Sequence, residues 1–299
     1  MKSRKRNYSR RASVVICAFA YIVAFGVAVA VVGLMDGAHP VLAAFAADCA
    51  ATAAIFVYSL LFDNSSMYDP YWSVAPPVIA LYFASESLAE GAISPLQWAA
   101  IACVFIWGGR LTWNWLRNWK GLGHEDWRYV DISRKTGRLK WPVSFLGIHL
   151  FPTVQVFLGC LSLYPALSAP GAVSVFPGIL ACAVTLTAIW IEARADRQLL
   201  DFTRSNPPSG SIMDRGLWKW SRHPNYFGEV SFWWGLFLFG LSSGKFYWWT
   251  LAGPVFITVM FAFVSIPMMD RRMIARRPGY AAHMKKTSAL VPLPPKKGA

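Results

Sequence analysis

Apolar runs of membrane-spanning length recur along the whole of this chain, and no other feature narrows its fold as much. Eight can be drawn, at roughly residues 12–34, 41–61, 72–88, 96–115, 143–163, 172–191, 226–241 and 247–268. About 20 consecutive apolar residues are enough for a helix to cross a bilayer. The runs are continuously apolar rather than alternating, which argues against a β-barrel. The expected fold is therefore all-α, a polytopic membrane helical bundle of about eight transmembrane helices, with residues 1–299 as one domain. With 56% hydrophobic and only 15% charged residues, the length of 299 does not imply two soluble domains.

The charges test this count. A formal net charge of +14 is compatible with a nucleic-acid partner. The basic residues, however, gather before the first run, at 110–140, at 194–222 and after 271. Eight spans with both termini on one side put 28 of the 29 Lys and Arg on that side, and leave only Lys245 on the other. In a membrane protein such a bias marks the cytoplasmic face. The expectation is an integral membrane protein with both termini cytoplasmic, surrounded by membrane lipids and without nucleic acid. Its oligomeric state is left open. The basic start followed by an apolar run resembles a signal peptide, but the run is too long for one and reads as a retained anchor.

The five cysteines each lie inside an apolar run. None forms a C-x-x-C pair or stands at ligand spacing from a histidine, so neither a disulfide framework nor a metal site is expected. His39 and His149 stand apart from other candidates and read as structural.

One polar stretch passes directly into an apolar helix: Ser221-Arg222-His223-Pro224-Asn225-Tyr226-Phe227-Gly228-Glu229. Pro224 suits the first turn of a helix. Asn225, Tyr226 and Glu229 then share a face on the first turns. Arg222 and His223 precede the free N–H groups of the helix start, a combination suited to an anion such as a phosphate. Interfacial anchoring would explain Arg and Tyr here, but it does not require Asn, Glu and His as well.

These residues, with Gly216-Leu217-Trp218 before them, resemble the C-terminal cofactor segment of the steroid 5-alpha-reductase family. Sterol reductases carry a similar segment, and a branch of bacterial membrane proteins with poorly defined substrates is nearer still. The resemblance covers about 192–294 well and thins out before it. It implies a seven-helix core with one added N-terminal helix, and NADPH as cofactor. Asp196 matches the family acid on the nicotinamide side, while Glu192 stands where the steroid enzymes commonly have Asn. Asn225, Tyr226 and Glu229 fall on the nicotinamide half. Arg204, Arg215, Arg222, His223 and the tail arginines, among them Arg272, are candidates for the phosphates, which guanidinium forks bind bidentately. Read from the residues alone, Glu192 and Asp196 could hold ribose hydroxyls, but pairing with Arg194, Arg197 or loop arginines is the better reading, and the basic tail can equally meet anionic lipid. The segment 270–292 resembles the family tail that folds back over the cofactor.

Asp69, in Tyr68-Asp69-Pro70-Tyr71, matches by position the family acid that helps bind the substrate carbonyl. The family's proton-donating tyrosine falls on Trp107, which cannot donate a proton in that way. Tyr68, Tyr71 or Tyr129 would have to replace it, or the substrate differs from an enone steroid. The dense loop 110–129, with Glu125-Asp126-Trp127-Arg128-Tyr129, either closes a pocket or lies at the membrane surface.

The expected function is NADPH-dependent reduction of a carbon–carbon double bond in a lipophilic, steroid-like or enone substrate, with Asp69 and Tyr68 as catalytic candidates. Two rivals remain. Membrane methyltransferases that use S-adenosylmethionine, of the isoprenylcysteine and phospholipid types, share an Arg-His-Pro-x-Tyr element. A lipid- or sterol-binding protein without turnover could keep the same fold.

Overall fold

The structure is a computed structural model and describes residues 8–91, 93–168 and 174–296. Lys2, Arg4, Lys5, Arg6, Lys297, and residues 172–173 of the sixth run lie outside them. The described residues form helices and connecting turns, with one isolated bridge between Ser221 and Ser288. The long helices are α1 (Arg10–Leu34), α2 (Pro40–Phe62), α3 (Tyr71–Phe83), α4 (Pro95–Asn118), α5 (Trp127–Cys160), α6 (Val175–Arg204), α7 (Pro224–Leu241) and α8 (Trp248–Arg276), followed by the short α9 (Tyr280–Lys286).

Among the described residues, α1, α2, α5, α6 and α8 are long and apolar enough to cross a membrane. The other three expected spans are helices too, but each falls short for its own reason. With 13 residues, α3 spans only about 20 Å. The 24 residues of α4 include Gln97, Arg110 and Arg117. The start of α7 carries Asn225, Tyr226 and Glu229.

Contacts divide the chain into two compact units. The first comprises residues 1–93 and 104–170, and the second 94–103 and 171–299, so α4 contributes to both.

In the first unit, α1 starts at Ser9, whose hydroxyl accepts from Ala12 N at 3.2 Å, and α2 starts at Pro40 with the His39 ring accepting from Val41 N. Asp63 ends α2 in a left-handed conformation, φ +49°. A short turn, Ser65–Tyr68, then leads into α3. Pro76 and Pro77 lie inside α3. Proline has no N–H, so the carbonyls four residues earlier, of Trp72 and Ser73, lose their helical donors. Gly108 of α4 packs against the Ser73 carbonyl so closely that any side chain there would collide with it.

Buried polar side chains join α2, the 65–68 turn and α5. Thr153 donates to the carbonyl of His149, so Tyr68 and Thr52, at 2.7 and 2.6 Å, both donate to Thr153. His149 is fully buried between the Ser144 carbonyl at 2.9 Å and the Ser59 hydroxyl at 3.0 Å. Both ring nitrogens are thereby satisfied, as a structural histidine requires.

In the second unit, α6 and α7 pack along most of their length. Gly228 and Gly235, one heptad apart on α7, face Glu192 with the Ala188 carbonyl, and Thr185, respectively. A Cβ at either glycine would overlap α6, so the small residues set the helix separation. The loop 213–218 folds onto α6: Leu217 N donates to Gln198 Oε1 at 3.0 Å, and Trp218 Nε1 to the Ala195 carbonyl at 3.0 Å. A π-helical segment, Phe261–Ser265, interrupts α8.

Candidate functional site

The site residues of the second unit centre on a carboxylate that sequence reasoning gave no role, Asp270. It lies near the end of α8 and is 5% exposed. Arg222 Nη2 donates to its Oδ2 at 2.8 Å. Its Oδ1 accepts from His223 Nε2 at 3.0 Å and from the Tyr280 hydroxyl at 2.9 Å. Burial, with the Asp270 carboxylate beside it, pushes the Tyr280 phenol well above its ordinary range, so it stays a donor. Arg222 is buried as well, and its Nη1 donates to the carbonyls of Thr287 at 2.6 Å and Met284 at 3.2 Å.

The backbone repeats this pattern. Arg222 N donates to Ser288 O at 2.8 Å, the Ser221 hydroxyl to Leu290 O at 2.8 Å, and Leu293 N to Trp220 O at 3.0 Å. Residues 284–293 are thus fastened along 220–222 by side chain and main chain together. The tail folds back, as the resemblance implies. Arg222 serves as the clasp, with its guanidinium directed at Asp270 and two carbonyls. A signal for Asp270 existed in the sequence, since it is the sole acid in the tail segment 270–292.

The start of α7 follows at once. His223 occupies the N-cap, and Pro224 opens the helix. The His223 ring stacks on Tyr226, with centroids 5.2 Å apart and planes 11° from parallel. Tyr226 in turn meets Phe261, in the π-helical segment of α8, at 4.8 Å. Such segments are frequent at functional sites. Glu229 Oε1 accepts from Trp233 Nε1 at 2.9 Å. The side-chain oxygen of Asn225 is buried without a hydrogen-bond partner. A buried acceptor in that state is costly unless a ligand group supplies the donor.

The remaining candidates spread over the same unit. Asp196 is half-buried on α6, one turn beyond the buried Glu192. Arg204, at the end of α6, and Arg215, just before the Gly216–Lys219 turn, are exposed. Arg272 is half-buried two residues after Asp270. An NADPH molecule would need a carboxamide acceptor and exposed cationic groups for its phosphates. Asn225 Oδ1 and Arg215 have those properties, so the donor set fits the cofactor in part. Arg222 is committed to the tail.

In the first unit, Asp69 Oδ1 accepts from the Tyr129 hydroxyl at 2.6 Å. Arg128 lies over the Tyr129 ring and pairs with Asp126 at 2.9 Å. Burial pushes the Asp69 carboxyl up to about 7, although the Tyr129 hydrogen bond and the Arg128 charge hold it down. Asp69 does not cap α3. The N-cap position there is Pro70, and no side chain caps the helix. Tyr68 is fully buried with its hydroxyl on Thr153, and Tyr71 donates to Asp48 at 2.7 Å. Of the three tyrosines, Tyr129 is the one bonded to Asp69. Trp107 is fully buried.

The loop 121–129 is held against the turn that carries Asp69. Asn64 Nδ2 donates to the carbonyls of Leu122 and His124 at 2.8 and 2.9 Å. Glu125 Oε1 accepts from Ser65 N at 2.9 Å, and Asp126 N donates to the Ser66 hydroxyl at 2.9 Å. The Glu-Asp-Trp-Arg-Tyr run therefore holds the Asp69 turn in place.

Residues 55–287 match a family described as proteins of unknown function, DUF1295, and the chain belongs to that family. An uncharacterised protein of Schizosaccharomyces pombe is 24% identical over 254 residues, covering 77% of this chain and 73% of its own length. No solved structure matches the chain. Family and fold together define a helical protein with apolar helices long enough to cross a membrane.

Proposed function

We propose that this protein is a membrane reductase that uses NADPH to saturate a carbon–carbon double bond in a lipophilic substrate, as its resemblance to the steroid 5-alpha-reductases implies. The observation that carries the reading is Asn225 Oδ1, a buried acceptor without a partner at the start of α7. When bound, NADPH supplies the hydride. Asn225 would accept from its carboxamide. Tyr226, oriented by His223 and Phe261, would form an aromatic wall, and Glu229 and Asp196 would take the remaining polar groups of that half. Arg204, Arg215 and Arg272 would hold the phosphates. Arg222 and His223 act one step back in this reading: through Asp270 they fix the tail and the entry into α7.

Asp69 is the acid of the mechanism. Near neutral pH its burial keeps a substantial fraction protonated, so it can donate a hydrogen bond to a substrate carbonyl. Tyr129 orients it, and Tyr68 becomes a packing residue rather than a proton donor.

One observation favours the methyltransferase reading: the Arg222 guanidinium is occupied by Asp270, Met284 and Thr287, which removes one phosphate ligand. S-adenosylmethionine carries no phosphate. Titration of detergent-purified protein with each cofactor separates the two readings. Saturable NADPH binding that weakens in Asn225→Ala supports the reductase. Binding of S-adenosylmethionine alone would replace it.

A further inference from the structure

We propose that the first unit holds a separate binding site for a lipophilic alcohol, in a cavity walled by α1, α2 and α3 around Asp48. The cavity has a volume of about 400 Å³, within the range of roughly 300–1,000 Å³ usual for small-molecule sites. Alanines make the space: Ala24 and Ala28 on α1, Ala47 and Ala51 on α2, and Ala75 on α3 all line it. The lining is otherwise aliphatic and aromatic, and Asp48 is its one charged residue.

Asp48 lies within the apolar helix α2 and is 6% exposed. The Tyr71 hydroxyl donates to its Oδ1 at 2.7 Å, but Oδ2 is buried with no hydrogen-bond partner. An acidic side chain in an apolar span is costly and is a functional-site hypothesis by default. A ligand hydroxyl would give Oδ2 the donor that it lacks. A hydroxyl can also accept, so it suits Asp48 whether or not the carboxyl carries a proton, whereas a ketone or an ether can only accept. An ammonium group could pair with Asp48, but only after both charges had been stripped of water in hydrocarbon. The chemistry therefore selects a molecule with an apolar body and one hydroxyl. This site is independent of the reductase reading. Its α1 wall and Asp48 also lie outside the region matched by the family, residues 55–287.

The test uses the full-length protein in detergent and a photoreactive long-chain alcohol. Its methyl ether and the corresponding amine serve as competitors, and labelled peptides are mapped. The expected result is labelling on α1, α2 or α3, with the free alcohol competing roughly tenfold better than the ether, the worth of one hydrogen bond. Asp48→Leu should reduce that ratio to near one while apolar binding persists, a readout that mere packing would not change. Ala28→Phe, which fills the cavity without touching Asp48, should abolish labelling of these helices, and it tests the site even if Asp48→Leu fails to fold. Equal competition by the ether, preference for the amine, or labelling confined to other helices would each overturn the proposal.

Discussion

Arg222 and Asp270 face each other across 48 residues of sequence, guanidinium Nη2 to carboxylate Oδ2 at 2.8 Å, both almost fully buried. A buried pair of this kind does little for stability in itself, because both charges have lost their water. What it fixes is geometry. With His223 and Tyr280 on the same carboxylate, it allows one arrangement of the tail, of the Arg-His-Pro entry and of the end of α8.

Breaking this pair from one side should be severe. Asp270→Asn leaves the Arg222 charge buried without a counter-charge, at a cost of about 3–5 kcal/mol. The expected outcome is a lower thermal unfolding temperature and new tryptic cleavage at Lys285 or Lys286 in otherwise folded protein. Replacing both partners, as in Arg222→Met with Asp270→Leu, should recover much of the stability without restoring protection of the tail. An unchanged cleavage pattern in Asp270→Asn would show that the backbone contacts at Ser288 and Leu290 suffice.

The close approach of α6 and α7 gives a second test. Gly228→Ala would press a methyl group into Glu192 and the Ala188 carbonyl. Overpacking of this kind costs about 1–3 kcal/mol. Thermal unfolding should fall accordingly, and NADPH binding should weaken as the start of α7 is pushed away. Gly123→Ala, where a Cβ meets open space, is the control and should behave as wild type.

Much of the fold was legible in the sequence, because the hydrocarbon core of a membrane imposes long apolar helices. The runs in α1, α2, α4 and α7 match their helices to within about three residues at each end, whereas α6 and α8 continue 13 and 8 residues past the ends of theirs, into polar turns that hydropathy does not count. The third run reads through to residue 88, although α3 ends at Phe83 and a separate short helix covers Ser85–Ala89; a break between two consecutive helices leaves no mark in hydropathy. The site was legible only in part. Arg222 and His223 were singled out by their motif, but the partner that decides their geometry, Asp270, is brought to them by the fold. Tyr129 was named only as one of three substitutes for a missing tyrosine, and its hydrogen bond to Asp69 joins residues 60 apart.

Asp69 gives a pH test. Its carboxyl is pushed up to about 7 by burial, against about 3.9 in an unfolded chain. The folded protein therefore holds this proton more tightly. The contribution to stability is present below about 4 and is lost as pH rises through about 7. The proton-bearing form that the mechanism needs disappears over the same upper range. With an accepted substrate, kcat/KM should fall as pH rises through about 7. Asp69→Asn should flatten that limb and slow turnover roughly tenfold or more, a barrier rise of about 1.4 kcal/mol. Tyr129→Phe removes a hydrogen bond to the charged form and should move the limb to higher pH. An unaltered profile in Asp69→Asn would move the acid elsewhere.

The central claim is that the start of α7 receives the nicotinamide half of NADPH, and equilibrium binding to detergent-purified protein tests it most directly. Wild type should bind NADPH saturably and S-adenosylmethionine not at all. Asn225→Ala should weaken NADPH binding by about 1–3 kcal/mol, the worth of a buried hydrogen bond and its stranded partner, without changing the unfolding temperature. NADPH binding of wild-type strength in Asn225→Ala, or binding of S-adenosylmethionine in place of NADPH, would contradict the account.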